Sequence, residues 1–272
     1  MNRAAATAKL NLALVVGPPR EDGRHEVATV LQRIDLADRI AVEAGPELSV
    51  QGFAEDTLVR SALEELAAAA GVEPRWAARI WKAIPVAAGL GGGSSDAATA
   101  LRLANETLPE PLSAEGLHEL AAALGADVPF FLTAGPQLAE GTGTDLRPLD
   151  LPQDYWIVLV LPRDARKAST ALVYEAFDER SGEQGWTERR ARLDETLAAV
   201  RRASDLAALP VNDLAASPLA EELRALGAFR ADVSGAGPAV YGLFQHRKSA
   251  AAAERALRRV GRTWLTVPTW YG

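Results

Sequence analysis

The chain has 272 residues, 48% of them hydrophobic and 24% charged, enough for one large domain or two ordinary ones around a substantial core. A formal net charge of −7 argues against a general binder of nucleic acid or anionic membrane, since both call for basic faces. With no cysteine, disulfides, thiolate catalysis and cysteine-bound metals are excluded, and His25, His118 and His246 are too scattered for a zinc site.

In chain order, Leu10 to Val16 and Asp38 to Val42 have strand character, with a loop from Gly17 to Arg24 between them. Lys9 and Asn11 interrupt the first apolar run, so it does not read as a signal peptide, and no segment approaches the ~20 apolar residues of a membrane helix. A cytoplasmic protein is expected. Thr57 to Ala70 is an alanine-rich helix ended by Gly71, and Trp76 to Ile84 leads as a strand into a glycine-rich loop. Ala97 to Leu108 has apolar residues at helical spacing. Ser113 caps a further helix with Leu117, Leu120, Ala121 and Leu124 on one face and Gly125 at its exit.

A second composition block begins near Leu151, dividing the chain into 1–150 and 151–272. Trp156 to Leu161 is continuously apolar, as expected of a strand buried on both faces. Helical stretches follow, and the arginine and glutamate of Thr187 to Ala203 read as a solvated helix face. Phe229 to Val233, Ala239 to Phe244, a helix from Lys248 to Val260, and Arg262 to Val267 complete the chain. Strands and helices in mixed order predict α+β in both halves.

The most informative stretch runs from Ile84 through Pro85, Val86, Ala87, Ala88, Gly89, Leu90, Gly91, Gly92, Gly93, Ser94 and Ser95 to Asp96. Four glycines in five residues let the backbone bring its N–H groups close to a ligand, and the helix that follows adds positive potential at its N-terminus. A polyphosphate is the natural occupant. Walker A is excluded because no lysine lies between Lys82 and Lys167, and the dinucleotide fingerprint needs a glycine where Ser94 stands.

This loop resembles the phosphate-binding motif of the GHMP kinases, the superfamily of galactokinase and of homoserine, mevalonate and phosphomevalonate kinases. Ala8 to Leu12, Asp22 to Val27, Leu124 to Leu132 and Ser234 to Val240 extend the resemblance, in order, over nearly the whole chain. They are similar to the member that phosphorylates a cytidyl-diphosphate sugar alcohol. The resemblance implies an N-terminal domain like ribosomal protein S5, a ferredoxin-like C-terminal domain and an active site in the cleft between them. It also implies ATP and Mg2+ as cofactors, a small-molecule substrate, no nucleic-acid or membrane partner, and a monomer or homodimer.

Pro85 to Ser95 would then bind the triphosphate, with the hydroxyl of Ser94 or Ser95, Ser95 being preferred, directed to magnesium and the other serine capping the helix. Asp127, among Val128, Pro129, Phe130 and Phe131, is by its surroundings either a hydrogen-bonding elbow or a functional carboxylate. The resemblance makes it the base. Lys9 on its apolar strand either snorkels from a strand end or is paired, and the resemblance sets it beside Asp127. Asn11, two residues on, projects from the same face. His25 on its own reads as a surface or satisfied histidine, but the family's matching residue contacts cytosine. Tyr174 fits either an aromatic stacking on that base or a core tyrosine. Ser234 to Pro238 is a tight turn or a second loop facing the phosphates, and Asn212 to Leu214 is taken as architectural. Three positions depart from the family pattern: Arg24 replaces an aromatic, Gly141 to Thr144 carries threonine where glutamate is common, and Thr57 replaces asparagine.

Overall fold

The computed structural model describes residues 2–54, 58–164 and 169–269. Thr57, the departure expected beside the nucleotide, lies outside the described residues.

The chain opens with a long antiparallel hairpin of β1 (Asn2–Pro19) and β2 (His25–Ala44), in which Lys9 faces Arg33. Both strands run well beyond the lengths the sequence suggests. The reason lies on β2, which hydrogen-bonds to β1 along one edge and to β4 (Trp76–Trp81) and β5 (Gln137–Glu140) along the other. Pairing on both edges compensates for the weak strand preference of its alanines and aspartates. With β3 (Ser49–Gln51) and β6 (Asp145–Pro148) this forms a six-stranded sheet.

Helices α1 (Leu58–Ala70) and α2 (Gly92–Asn105) bury Leu63, Leu66, Ala97 and Leu101 against this sheet. On α3 (Ala114–Leu124), the expected cap is present: Ser113 accepts a hydrogen bond from the Gly116 N–H at 3.2 Å.

A second, wholly antiparallel sheet has the order β10 (Gly261–Thr266), β7 (Trp156–Pro162), β9 (Val240–Phe244), β8 (Arg230–Val233). Helices α4 (Thr170–Glu179), α5 (Trp186–Ala199), α6 (Pro218–Ala225) and α7 (Arg247–Leu257) complete the second half. The mixed α+β architecture expected in both halves is present. One core joins them, because Leu10, Leu12 and Val15 of β1 pack with Ile157, Leu159, Tyr241 and Leu243. The fully buried Tyr241 hydroxyl donates to the Asn11 carbonyl at 3.0 Å. Covered on both faces, Leu10 to Val16 shows no alternation of polarity.

Two expectations are corrected. Helix α2 begins at Gly92, five residues before Ala97, and Gly91 with φ +69° occupies its N-cap without any side-chain cap, so neither serine caps it. A glycine reaches that left-handed conformation without steric cost. The charged helix α5 is not only a solvated face either. Arg189 donates to the Val16 and Gly182 carbonyls at 3.1 and 2.8 Å and to Asp213 at 3.0 Å, fastening α5 to β1.

Candidate active site

The loop between β4 and α2 is held open by backbone contacts on two sides. The Lys9 N–H donates to the Leu90 carbonyl at 2.9 Å, and the Ala239 N–H to the Ala88 carbonyl at 3.1 Å. The Ser234 hydroxyl donates to the Gly89 carbonyl at 2.9 Å. The two glycine-rich loops therefore touch. Their approach is so close that a Cβ at Gly89, whose φ is +81°, would lie 2.3 Å from the Ser234 carbonyl oxygen. Asn212 braces the second loop, donating to the Val233 and Gly235 carbonyls at 3.0 and 2.6 Å, which is the architectural part expected of it.

The first intrahelical bond of α2 runs from the Ser95 N–H to the Gly91 carbonyl at 2.9 Å. The amides of Gly92, Gly93 and Ser94 thus precede the hydrogen-bonded part of the helix, as an anion site requires. Gly93 has open space where a Cβ would stand. A Cβ at Gly91 would meet Phe131 at 2.9 Å and Lys9 Cγ at 3.0 Å, so that glycine makes room for the protein's own side chains.

Behind the loop sits a charge cluster that the sequence reading missed. Asp38 and Asp96, both fully buried, flank Lys82. Lys82 Nζ donates to Asp38 and to Asp96, the latter at 2.7 Å, while Asp38 also accepts from the Ile84 N–H at 2.9 Å. The cluster ties the start of the loop to the first turns of α2. Burial pushes the Asp96 carboxyl up to about 8 against the pull of Lys82, and Asp96 Oδ1 is buried without a hydrogen-bond partner among the described residues.

Lys9 is 4% exposed, and its Nζ lies 2.7 Å from Asn11 Oδ1 and 3.3 Å from Asp127 Oδ2. It is paired, not snorkelling. The Asn11 amide donates to the Thr29 hydroxyl at 2.8 Å, which in turn donates to the Ala13 carbonyl at 2.7 Å. Asn11 therefore aims the lysine, and shared projection from one strand face was the sequence signal for it. Asp127 precedes a short 3-10 turn, Pro129–Leu132, and its side chain is 39% exposed to the cleft. Arg33 secures that turn from β2, donating to the Phe130 carbonyl at 3.1 Å and to the Thr133 carbonyl. Burial lowers the Arg33 guanidinium to about 10, which leaves it cationic at neutral pH.

At the far end of the cleft, His25 is 8% exposed, its ring 4.9 Å from that of Tyr174 and its Nε2 2.8 Å from Asp178 Oδ1. Burial raises the Tyr174 hydroxyl to about 12, with Asp127 adding to the effect, so the phenol stays neutral. Arg24 turns back on its own loop, where its Nε lies 3.1 Å from Asp22 Oδ2.

One cavity of about 860 Å³ joins these parts. Lys9, Asn11, Arg24, His25, Asp127, Tyr174, residues 85–94 and Gly235 all line it. Ser95 does not: it is 1% exposed inside α2, so the structure brings Ser94 and not Ser95 to the wall. Phe53, Leu58 and Lys82 also line it, beside the exposed Val86, and give the loop end an apolar corner that no sequence motif announced.

Comparison with known proteins gives this arrangement its class. Residues 57–135 match the GHMP kinases N terminal domain and residues 190–263 the GHMP kinases C terminal domain. The chain belongs to the GHMP kinases. It is 41% identical to a 4-diphosphocytidyl-2-C-methyl-D-erythritol kinase of Anaeromyxobacter sp. (strain Fw109-5), over 93% of this chain and 85% of that one. To the same kinase of Pelotomaculum thermopropionicum it is 38% identical, over 98% and 97%. A crystal structure of 4-(cytidine 5'-diphospho)-2C-methyl-D-erythritol kinase superposes with TM-score 0.80 at 34% identity, covering 100% of both chains. Within the GHMP kinases, the chain belongs with the 4-diphosphocytidyl-2-C-methyl-D-erythritol kinases. The mevalonate kinase of Methanococcus jannaschii has the same fold, with TM-score 0.76 at 14% identity.

Proposed function

We propose that the chain transfers the γ-phosphoryl group of ATP to the 2-hydroxyl of 4-diphosphocytidyl-2-C-methyl-D-erythritol, as a cytoplasmic enzyme of the non-mevalonate route to isoprenoid precursors. The observation that carries this reading is the single cavity in which an anion-binding helix terminus, a lysine–aspartate pair and a histidine–tyrosine pocket follow one another.

Phosphoryl transfer asks the protein to align the attacking oxygen and to neutralise spreading charge. The amides of residues 92–94 cradle the triphosphate, and the corner of Phe53, Leu58 and Val86 accepts the adenine. The 2-hydroxyl is tertiary, because carbon 2 also bears the methyl group, and such a hindered nucleophile depends on positioning. Asp127 takes its proton or holds it in line, and Lys9, aimed by Asn11, meets the charge of the transferring group. Mg2+ is a hard cation that keeps most of its ligands from phosphate and water. The described residues fit that use: Ser94 lines the cavity wall in the first turn of α2, where its hydroxyl would supply one oxygen to the ion. There the ion would neutralise phosphate charge. On this reading residues 1–150 carry the ATP site and residues 151–272 close over the substrate, with Tyr174 reaching in from the second part.

The reading is tested by offering magnesium-ATP with the cytidyl compound, mevalonate, homoserine and galactose in turn. Turnover of the cytidyl compound with the others inert is expected. Phosphorylation of mevalonate or galactose with the cytidyl compound inert would overturn the assignment.

The cradle is tested at Gly93, where a side chain enters open space and disturbs no neighbour. Gly93→Val should weaken ATP binding by about tenfold or more, the worth of one or two hydrogen bonds to a charged group, with affinity for the cytidyl substrate unchanged by calorimetry. Unchanged ATP affinity in the folded variant would remove the loop from phosphate binding.

A further inference from the structure

The reading of the far end of the cleft as a base site leaves Asp178 without a task, and the inference here rests on that reading. Asp178 lies near the C-terminal end of α4, 153 positions beyond His25, and its carboxylate meets the His25 ring at 2.8 Å across the cleft. It lines the same cavity as His25 and Tyr174.

Three contacts fix the imidazole. Tyr174 lies against it at 4.9 Å with an interplanar angle of 32°, Phe177 meets it edge-on at 5.9 Å, and Asp178 takes Nε2. Two of the contacting side chains are helical neighbours of Asp178, at positions i−4 and i−1 on α4. The ring therefore has one orientation and one nitrogen, Nδ1, left for a ligand.

An ionised carboxylate only accepts hydrogen bonds, so the neutral ring that faces it carries its proton on Nε2 and leaves Nδ1 as an acceptor. Cytosine presents an amino group at carbon 4, whereas uracil presents a carbonyl oxygen there. An acceptor nitrogen welcomes the first and opposes the second. We propose that Asp178 is a positioning residue that holds His25 in the Nε2–H tautomer, and that the pair thereby selects an amino-bearing pyrimidine over a keto one. Histidine alone would not do this, because a ring free to exchange tautomers can donate from Nδ1 to a uracil carbonyl equally well. The selection comes from a residue that need not touch the base.

Two measurements test this on the intact protein. In the first, the imidazole nitrogens are read by ¹⁵N NMR at alkaline pH, with His118→Gln and His246→Gln used to assign the three histidines. The Nε2–H form of His25 is expected in the wild type, and a mixture of tautomers in Asp178→Leu. In the second, kcat/KM is compared for the cytidyl substrate and its uridyl counterpart. Asp178→Leu should lower the cytidyl preference by about tenfold or more, as expected when a partner opposed at one hydrogen bond becomes tolerated. The KM for ATP should hold, and Asp178→Asn, which keeps an acceptor oxygen, should retain most of the preference.

A wild-type His25 protonated on Nδ1, singly or together with Nε2, overturns the proposal. So does an Asp178→Leu enzyme that turns over the cytidyl substrate with its preference intact. A wild-type enzyme inert toward the cytidyl compound overturns the underlying functional reading instead, so the two failures are distinguishable.

Discussion

Asp127→Asn is expected to lower kcat by about 10²-fold or more, the range of a positioned acid–base group. The substitution keeps the size and one acceptor oxygen of the side chain, but it removes the capacity to take a proton and the negative charge opposite Lys9. The KM for ATP should change little, because the triphosphate site is built from loop amides and not from this carboxylate. Stability should also change little. Asp127 is 39% exposed, and the turn behind it is fixed independently by Arg33 bonds to the Phe130 and Thr133 carbonyls. If Asp127 were only an elbow, the loss would fall on the melting temperature and kcat would survive. A folded variant with more than half of the wild-type kcat would take Asp127 out of the chemistry.

The second large effect is expected on stability, at Lys82. Its ammonium is the shared partner of two fully buried carboxylates, Asp38 and Asp96. Lys82→Met leaves both buried without that cation, a class of change that costs about 3–5 kcal/mol. The sign of the pH dependence follows from Asp96, whose folded carboxyl is already raised to about 8 from 3.8. A carboxyl raised on folding destabilises at pH above its folded value, and the cost disappears as pH falls toward the unfolded value. Removing Lys82 raises it further. Intact protein and variant both keep Asp96 protonated below about pH 8, so the deficit of the variant in urea titration should be flat up to there and grow as pH rises further. A loss below about 1 kcal/mol at pH 8, the scale of an exposed ion pair, would show that the cluster does not hold the loop to α2.

Much of the site was legible because its chemistry is local in the chain. Gly89 to Ser94 form one continuous segment, and the glycine content alone points to close backbone approach. Lys9 and Asn11 lie two residues apart on one strand, so period-2 alternation set them on the same face before any partner was known. Asp127 could not be resolved from its neighbours, because apolar company suits an elbow and a base equally. Only the family resemblance favoured the base.

The illegible parts are contacts between distant segments. Lys82, Asp38 and Asp96 are separated by up to 58 positions, and each alone is an ordinary surface residue type. Asp178 meets His25 only because the fold brings α4 to the cavity wall beside the start of β2. Ser95 misled because the helix was expected to begin at Ala97. With Gly91 as the cap, Ser95 moves into the first turn and away from the cavity, and Ser94 takes its place at the wall. In the fold, the start of β1 was underestimated because Ala4 to Ala8 carry little strand preference of their own. Their pairing is decided by the register with β2.

The central claim is transfer to one particular hydroxyl, and ³¹P NMR of the product tests it most directly. Carbon 2 of the acceptor carries no hydrogen, whereas carbon 3 carries one and carbon 1 carries two. A phosphomonoester at the 2-hydroxyl therefore appears as a line without three-bond proton coupling. The account predicts such a singlet, growing in step with ADP when the enzyme receives ATP and 4-diphosphocytidyl-2-C-methyl-D-erythritol. A doublet or triplet, or ADP release with no new monoester, would contradict it.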